Sequence, residues 1–407
     1  MKCRHCGSEL RLPFIDLGMA PPSNAYLTRE QLDLPEKRYP LRVLVCESCW
    51  LAQTEDYVGA GDLFTEDYAY FSSVSQTWLE HARNYVASMC DRLHLGPESL
   101  VAEIAANDGY LLQYVQRRGI PCYGIEPTKS TASAAREKGI RIVEAFFGKK
   151  LASDLAEKGQ RADLVIANNV LAHVPDINDF TGGVATLLKP GGVATFEFPY
   201  LLNLVRENQF DTIYHEHYSY LSLTAIDRIF RANGLVVIDV EHLPTHGGSI
   251  RVFAQGNEAA TAPGAAIKTM LSEERQAGVN GSAFYSGFQS RAETAKREFL
   301  AFLREQKKTG RKVGAYGAAA KGNTLLNFAG IDSELLPYVA DRSPAKQGKY
   351  LPGSRIPVVD ENRLWSDKPE WVVILPWNIH SEIEAQLARI RDWGAKFVWA
   401  IPRLQVS

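Results

Sequence analysis

The sequence predicts an α/β fold in three parts: a small N-terminal lobe built around metal, a central doubly wound Rossmann-like domain, and a second Rossmann-like α/β domain at the C-terminus. Three observations carry this expectation. Four of the six cysteines stand in two C-x2-C pairs, Cys3/Cys6 and Cys46/Cys49. The run from Leu100 to Glu126 reads strand, small-residue turn, helix, strand, acid, the opening unit of a doubly wound sheet. A second unit of that kind starts at Lys312. The expected divisions are residues 1–67, 68–255 and 256–407, and a 407-residue chain has room for two or three domains.

Composition narrows the function classes. With 45% hydrophobic and 23% charged residues the chain has enough apolar material for real cores. A net charge of -2 gives it no general electrostatic attraction for nucleic acid or anionic lipid. No apolar run reaches the length of a membrane span, and Met1-Lys2-Cys3 opens no signal region. The expectation is a cytoplasmic protein acting on a small molecule, with no nucleic-acid or membrane partner. Oligomeric state is not legible.

In the N-terminal segment, two thiolates from each knuckle complete the four sulfurs of a closed tetrahedral zinc site. The knuckles stand about 40 residues apart, longer than the usual ribbon spacing. A filled shell leaves no position for catalysis, so Zn2+ on Cys3, Cys6, Cys46 and Cys49 is expected to be structural. Acids such as Glu30, Asp33, Glu47 and Glu55 are mixed among the bases, without the basic stripe of a nucleic-acid binder. At the junction, Tyr68 and Tyr70 either pack between domains or line a cleft, since sites favour such junctions. Trp78 to Val86 has the apolar spacing of a helix.

The central domain begins with the strand Leu100–Ile104, the turn Ala105–Gly109 and a helix from Tyr110. Next comes a strand ending in Glu126, placed where this architecture holds ribose hydroxyls. The turn lacks G-x-G-x-x-G and makes a poor pyrophosphate cradle. S-adenosylmethionine (SAM), a nucleoside without pyrophosphate, fits better than NAD. Its expected contacts are Glu103, Ala105, Asn107, Asp108, Gly109, Tyr110, Leu111, Glu126 and Pro127. Asn168 and Asn169, at the end of the strand from Asp163, join them. Lys189-Pro190-Gly191-Gly192 reads as a turn before the strand Val193–Pro199. In this order the pieces indicate a class I methyltransferase.

After that strand stands Tyr214-His215-Glu216-His217-Tyr218, a phenol, two imidazoles and a carboxylate within five residues. Such groups move protons near neutral pH when their environment tunes them; otherwise they are loop hydrogen-bonders. In a regular strand Tyr214 and Glu216 would face away from His217, so a shared site requires an irregular backbone here. A catalytic metal on His215 and His217 is disfavoured because the spacing matches no zinc-protease helix motif. His246-Gly247-Gly248-Ser249 is a glycine turn entering a strand. It is either a hairpin turn or a place where backbone approaches a ligand, with Arg251 as an anion contact.

The motifs together resemble the sugar C-methyltransferases that act on nucleotide-linked 4-keto-deoxysugars. The resemblance rests on the two C-x2-C pairs, Glu103-x4-Asp108-Gly109, Asn169-x3-His173, the Tyr214–Tyr218 cluster and His246-Gly247-Gly248-Ser249. It covers essentially the whole chain, and the combination is more specific than any single motif. It implies a C-terminal domain that helps hold the nucleotide sugar, and methylation at C3 through an enolate. It also implies that His217 is the base, oriented by Glu216. Tyr214 and Tyr68 would bind or polarise the sugar, and His173 would be a second proton carrier or enolate donor.

The C-terminal part opens with a linker at Ala259–Ala265 and a broken helix or helix pair over Met270–Lys308. The strand Lys312–Gly317 then runs into Ala318-Ala319-Ala320-Lys321-Gly322-Asn323-Thr324. This small-residue turn opens a helix and suits an anion at its amides, without the spacing of an ATP-binding loop. Ala319, Lys321, Gly322 and Asn323 are the candidate contacts for a pyrophosphate, against the alternative that this unit is scaffold only. Competing functions are an O- or N-methyltransferase on the same sugars, an NAD(P)-linked sugar oxidoreductase and a non-catalytic zinc-ribbon interaction protein.

Overall fold

The computed structural model describes residues 1–57, 59 and 71–407. Three sheets organise them. In the N-terminal part, β1 (Leu12–Ala20), β2 (Tyr39–Val45) and β3 (Ala52–Thr54) pair antiparallel. Along β2, Leu41, Val43 and Val45 are buried at alternate positions, the period that puts one face of a strand on a core. That core is not the lobe's own. Phe14 stacks on Phe288 at 4.6 Å between ring centroids, so the helix Phe288–Lys308 from the C-terminal part covers this sheet.

The central domain supplies β4 (Val101–Ile104), β5 (Cys122–Ile125), β6 (Ile142–Val143), β7 (Ala162–Asn168) and β8 (Leu188–Pro199). They run parallel in the order β8-β7-β4-β5-β6. β4 is buried throughout, as a parallel strand covered on both faces must be. The turn expected at Lys189–Gly192 is absorbed into β8. Ala162 faces Leu188, but Leu164 faces Val193, so the extra residues are accommodated as a bulge beside Gly191, at φ +77.

The chain then leaves this sheet. β9 (Ser219–Tyr220), directly after the Tyr214–Tyr218 cluster, pairs with β3 and becomes the fourth strand of the N-terminal sheet. The hairpin β10 (Leu235–Leu243) and β11 (Ser249–Gly256) returns antiparallel to β8. His246-Gly247-Gly248 is its connection.

Helices at Ala265–Ala277, Ser282–Tyr285 and Phe288–Lys308 follow, broken at Gly278 as the sequence suggests. The last sheet has β12 (Val313–Tyr316), β13 (Val339–Ala340), β14 (Val358–Val359), β15 (Trp371–Ile374), β16 (Lys396–Trp399) and β17 (Gln405–Val406). Its order is β14-β13-β12-β15-β16-β17, with only β17 antiparallel. The helix Ala320–Ala329 starts straight after β12. No helix among the described residues is long and apolar enough to cross a membrane.

Candidate functional site

The four knuckle sulfurs lie within 4.8 Å of one another. The Cys3–Cys49 and Cys6–Cys46 pairs are at 3.5 and 3.4 Å. A tetrahedron with Zn–S bonds of about 2.3 Å has edges of about 3.8 Å, so the set fits zinc. Gln53 donates its side-chain amide to the Cys3 sulfur at 3.3 Å. This places a second-layer contact on β3 itself, where it steadies the ligand.

A cavity of about 670 Å³ opens where the three sheets meet. One end belongs to the central domain. Between β4 and the next helix the backbone takes left-handed conformations at Ala105 and Asn107, which turns Asn107 and Tyr110 towards the cavity. Glu126, at the end of β5, is pinned by two backbone amides, those of Asn107 and Thr128, both at 2.9 Å. Each carboxylate oxygen keeps a second lone pair for a hydroxyl. Asn168 and Asn169 line the same end, and their side-chain oxygen (Asn168) and side-chain nitrogen (Asn169) are buried without a partner among the described residues. Buried polar atoms left unpaired are costly, and a ribose, adenine and amino-acid moiety would satisfy them. SAM therefore fits this end.

Not all the expected cofactor contacts reach it. Glu103 lies beneath the turn, hydrogen-bonded to Tyr110, and burial pushes its carboxyl well up from the usual carboxylate range. Asp108 is turned away, bonded to Ser73 and to Lys138. Leu111 is core. Gly109 serves packing: at φ +73, a Cβ there would stand 2.3 Å from the Ile140 side chain. Ala105, Asn107, Tyr110, Glu126, Pro127, Asn168 and Asn169 line the cavity.

His217, Tyr214 and His173 line the same cavity. The cluster breaks from strand geometry as required: the His217 amide closes a turn on the Tyr214 carbonyl at 2.9 Å. The Tyr214 and His217 rings are 4.0 Å apart, and His173 and His217 are 4.6 Å apart. The Nδ1 of His217 donates to the Thr212 carbonyl at 2.9 Å, and that of His173 to the Glu216 carbonyl at 2.8 Å. A carbonyl only accepts, so both rings carry the proton on Nδ1 and the lone pair on Nε2. Burial lowers both imidazoles, His173 to about 4 and His217 well below its usual range. Both are neutral at pH 7, the state a base needs.

The Glu216 side chain does not orient His217. It accepts from the backbone and side-chain amides of Asn24, each at 3.1 Å, and lies outside the cavity lining. Thr212 performs the orienting role instead, because the turn brings a carbonyl and not the carboxylate to the ring. His215 donates to the Pro40 carbonyl at 3.2 Å, consistent with a structural part. Tyr68 lies outside the described residues, as does Tyr70.

The far end of the cavity belongs to the C-terminal domain. Ala319 and Lys321 line it, joined by Lys346 and Asn378. Burial lowers the Lys321 ammonium to about 8, partly offset by Asp211. Gly322 packs on Leu375, and Asn323 donates its side chain to the Ser23 carbonyl at 2.6 Å, so neither is among the residues that line the cavity. The acid after β13, Asp341, is used internally: its carboxylate holds the amides of Ala318 and Ser343. Arg251 also departs from expectation. It is buried between Glu197 and Glu241, over the Tyr85 ring, and meets no ligand space. Of the glycine turn, His246 lines the cavity 5.0 Å from the Trp78 ring. Gly247 and Gly248 instead make room for Trp377 and Asn203, which a Cβ would meet at 2.6 and 2.1 Å.

Sequence reasoning passed over Asn24, Tyr26, Trp78, Thr212, Lys346 and Asn378 as lining residues. Only Trp377-Asn378, after a strand of the second α/β unit, carried a usable signal. Asn24 and Tyr26 reach the cavity from the N-terminal part, which no local pattern announces.

The buried imidazoles give a pH dependence of stability. Unfolded, His173 takes up a proton near 6.5; folded, it resists until about 4. Its contribution is present above pH 6.5 and is lost as pH falls towards 4. Asp211 is raised from 3.8 to about 7 and acts oppositely, its folded form gaining protons first as pH falls from 7. Comparison with His173→Asn isolates the histidine. With His173 half-buried, the wild type should lose about 2 kcal/mol relative to the variant between pH 6.5 and 4, read from urea midpoints.

Three family models match consecutive stretches: "Putative zinc binding domain" over residues 3–64, "Methyltransferase domain" over 78–240 and "C-methyltransferase C-terminal domain" over 244–402. The C-methyltransferase NovU of Streptomyces niveus is 34% identical over 405 residues, 100% of this chain and 96% of NovU. A ubiquinone biosynthesis O-methyltransferase of Bradyrhizobium sp. is 27% identical over 151 residues, covering 31% of this chain and 58% of that protein. Magnesium protoporphyrin IX methyltransferase of Synechocystis PCC 6803 overlays 44% of this chain and 80% of its own. The TM-score of that overlay is 0.33, at 18% identity.

Proposed function

This chain belongs to the C-methyltransferase family that includes NovU, and from that premise we propose that it methylates C3 of a nucleotide-linked 4-keto-6-deoxysugar through an enolate, with His217 as the base. Its cofactors are SAM and a structural zinc. The observation that carries the proposal is the placement of the two imidazoles. Their rings stand 4.6 Å apart in the lining of one cavity, which Glu126, Asn168, Lys321 and Lys346 also line, and the Nδ1–H of His217 on the Thr212 carbonyl leaves Nε2 as its basic nitrogen.

A carbon acceptor must first become a nucleophile. The ketone at C4 acidifies the C3 hydrogen, but a base is still needed. Nε2 of His217 takes that proton, and the C3–H electron pair becomes the enolate with its charge on the C4 oxygen. Tyr214 packs on the His217 ring and holds the sugar face; Tyr68 is assigned to the same task. The proton taken up by His217 passes to Nε2 of the neighbouring His173, which then donates it in a hydrogen bond to the enolate oxygen. When bound, SAM supplies the electrophilic methyl group. Lys321, Lys346 and the first turn of the helix Ala320–Ala329 hold the diphosphate, with positive charge and backbone amides converging on an anion.

Mass spectrometry tests this with purified protein, SAM and a panel of TDP-, GDP- and CDP-linked 4-keto-6-deoxysugars in deuterated water. The expected product is heavier by one methylene, and substrate recovered before methylation carries deuterium at C3. A methylated product whose new group sits on oxygen or nitrogen would sink the enolate route.

A further inference from the structure

Asp211 is a fully buried carboxylate with no part in the chemistry described so far. One oxygen accepts from the indole nitrogen of Trp377 at 2.7 Å; the other has no partner among the described residues. The Trp377 ring lies 4.9 Å beneath the Lys321 ammonium, which is also bonded to Asn378 at 2.9 Å. Gly247 leaves the space the ring occupies. The two residues after Asp211 face other parts of the site. The Thr212 carbonyl accepts from His217 Nδ1–H at 2.9 Å, and the Ile213 carbonyl accepts from the Thr324 hydroxyl at 2.8 Å. Thr324 and Lys321 share one helix.

Resting on the proposed nucleotide-sugar activity, we infer that Asp211 is a positioning residue: through Trp377 it seats Lys321, and so keeps the anion end of the cavity in register with the His217 base. A buried carboxylate is costly unless something needs it. Here it fixes the rotation of the indole whose face lies beneath the buried lysine. The three consecutive residues 211–213 tie the indole, the base and the lysine's helix to one short turn. A shift in that turn would misplace base and anion site together.

The test uses the full zinc-loaded chain, with thymidine diphosphate as the probe for the anion end. The reading beneath the inference is checked first: wild type must bind a nucleoside diphosphate, and failure with the TDP, GDP and CDP probes overturns that reading and the inference with it. Given binding, Asp211→Leu and Trp377→Phe should each weaken it about tenfold and raise KM for the sugar nucleotide about as much. The double variant should be no worse than either single, because both remove one contact. Asp211→Asn, whose carbonyl still accepts from the indole, should recover most of the loss. SAM affinity should not move. Unaltered diphosphate binding and KM in Trp377→Phe overturn the inference even if Asp211→Leu fails to fold. A parallel loss of SAM binding and melting temperature, without a KM effect, does so too.

Discussion

His217→Asn should lower kcat about 10^3-fold and leave SAM binding where it was, the scale of loss when a positioned general base is removed. Asparagine keeps an N–H for the Thr212 carbonyl and so preserves the turn, while removing the lone pair on Nε2. The loss should appear in kcat and kcat/KM alike, since proton abstraction is an interaction of the transition state. Deuterium uptake at C3 should cease in parallel. Glu126→Ala should behave in the opposite way. Losing a carboxylate that holds hydroxyls costs about 1.5–3 kcal/mol, roughly 10- to 100-fold in SAM affinity, with the exchange reaction on the sugar intact. His173→Asn should fall between: His173 sits 4.6 Å from His217 and is itself held on a carbonyl, so it shares the proton traffic without being the first acceptor. If His217→Asn turns over normally while His173→Asn does not, the two roles are exchanged.

Much of this arrangement was legible before any coordinates, because it is written in local patterns. A strand, a small-residue turn and a strand ending in Glu126 carry their own geometry, and two C-x2-C pairs imply their own ion. The helix break at Gly278 was equally visible, since a left-handed residue ends a helix by itself. The departures share a cause: they depend on contacts between segments far apart in the chain. Glu216 looks like the partner of His217 when only neighbours are visible. The fold gives it to Asn24, 192 residues away, and brings in the Thr212 carbonyl instead. Arg251 looks like an anion contact, yet Glu197 on the next strand already claims it. Gly247 and Gly248 look like room for a ligand, but the space is filled by Trp377 and Asn203.

Removing the zinc should abolish most of the turnover while SAM still binds, because the metal lobe holds the turn that carries the proposed base, His217, and not the cofactor end. Cys46 and Cys49 sit in the link between β2 and β3, and β3 pairs with β9 immediately beyond His217. Thr54 donates its hydroxyl to the His217 carbonyl at 2.9 Å, and Asn24 holds Glu216. Arg4, inside the first knuckle, bridges the Thr54 and Pro175 carbonyls at 2.9 Å each. The backbone on both sides of the base thus hangs on a segment whose own sheet borrows its core from elsewhere. Structural zinc supplies folding energy to such a segment directly. Without it the β3 edge should loosen, and misplacing the imidazole by about 1 Å is enough to cost roughly 10^2-fold in rate. Cys3, Cys46 and Cys49 share a buried core with residues of the parallel sheet, but Glu126 is held by the backbone amides of Asn107 and Thr128, away from the metal, so SAM titration should change little. The measurement is zinc content, SAM affinity and kcat on one chelated sample, followed by zinc re-addition. Recovery of kcat with the metal, at constant SAM affinity, is the expected outcome. A zinc-free protein with undiminished kcat would mean that β9 and the turn stand without the lobe.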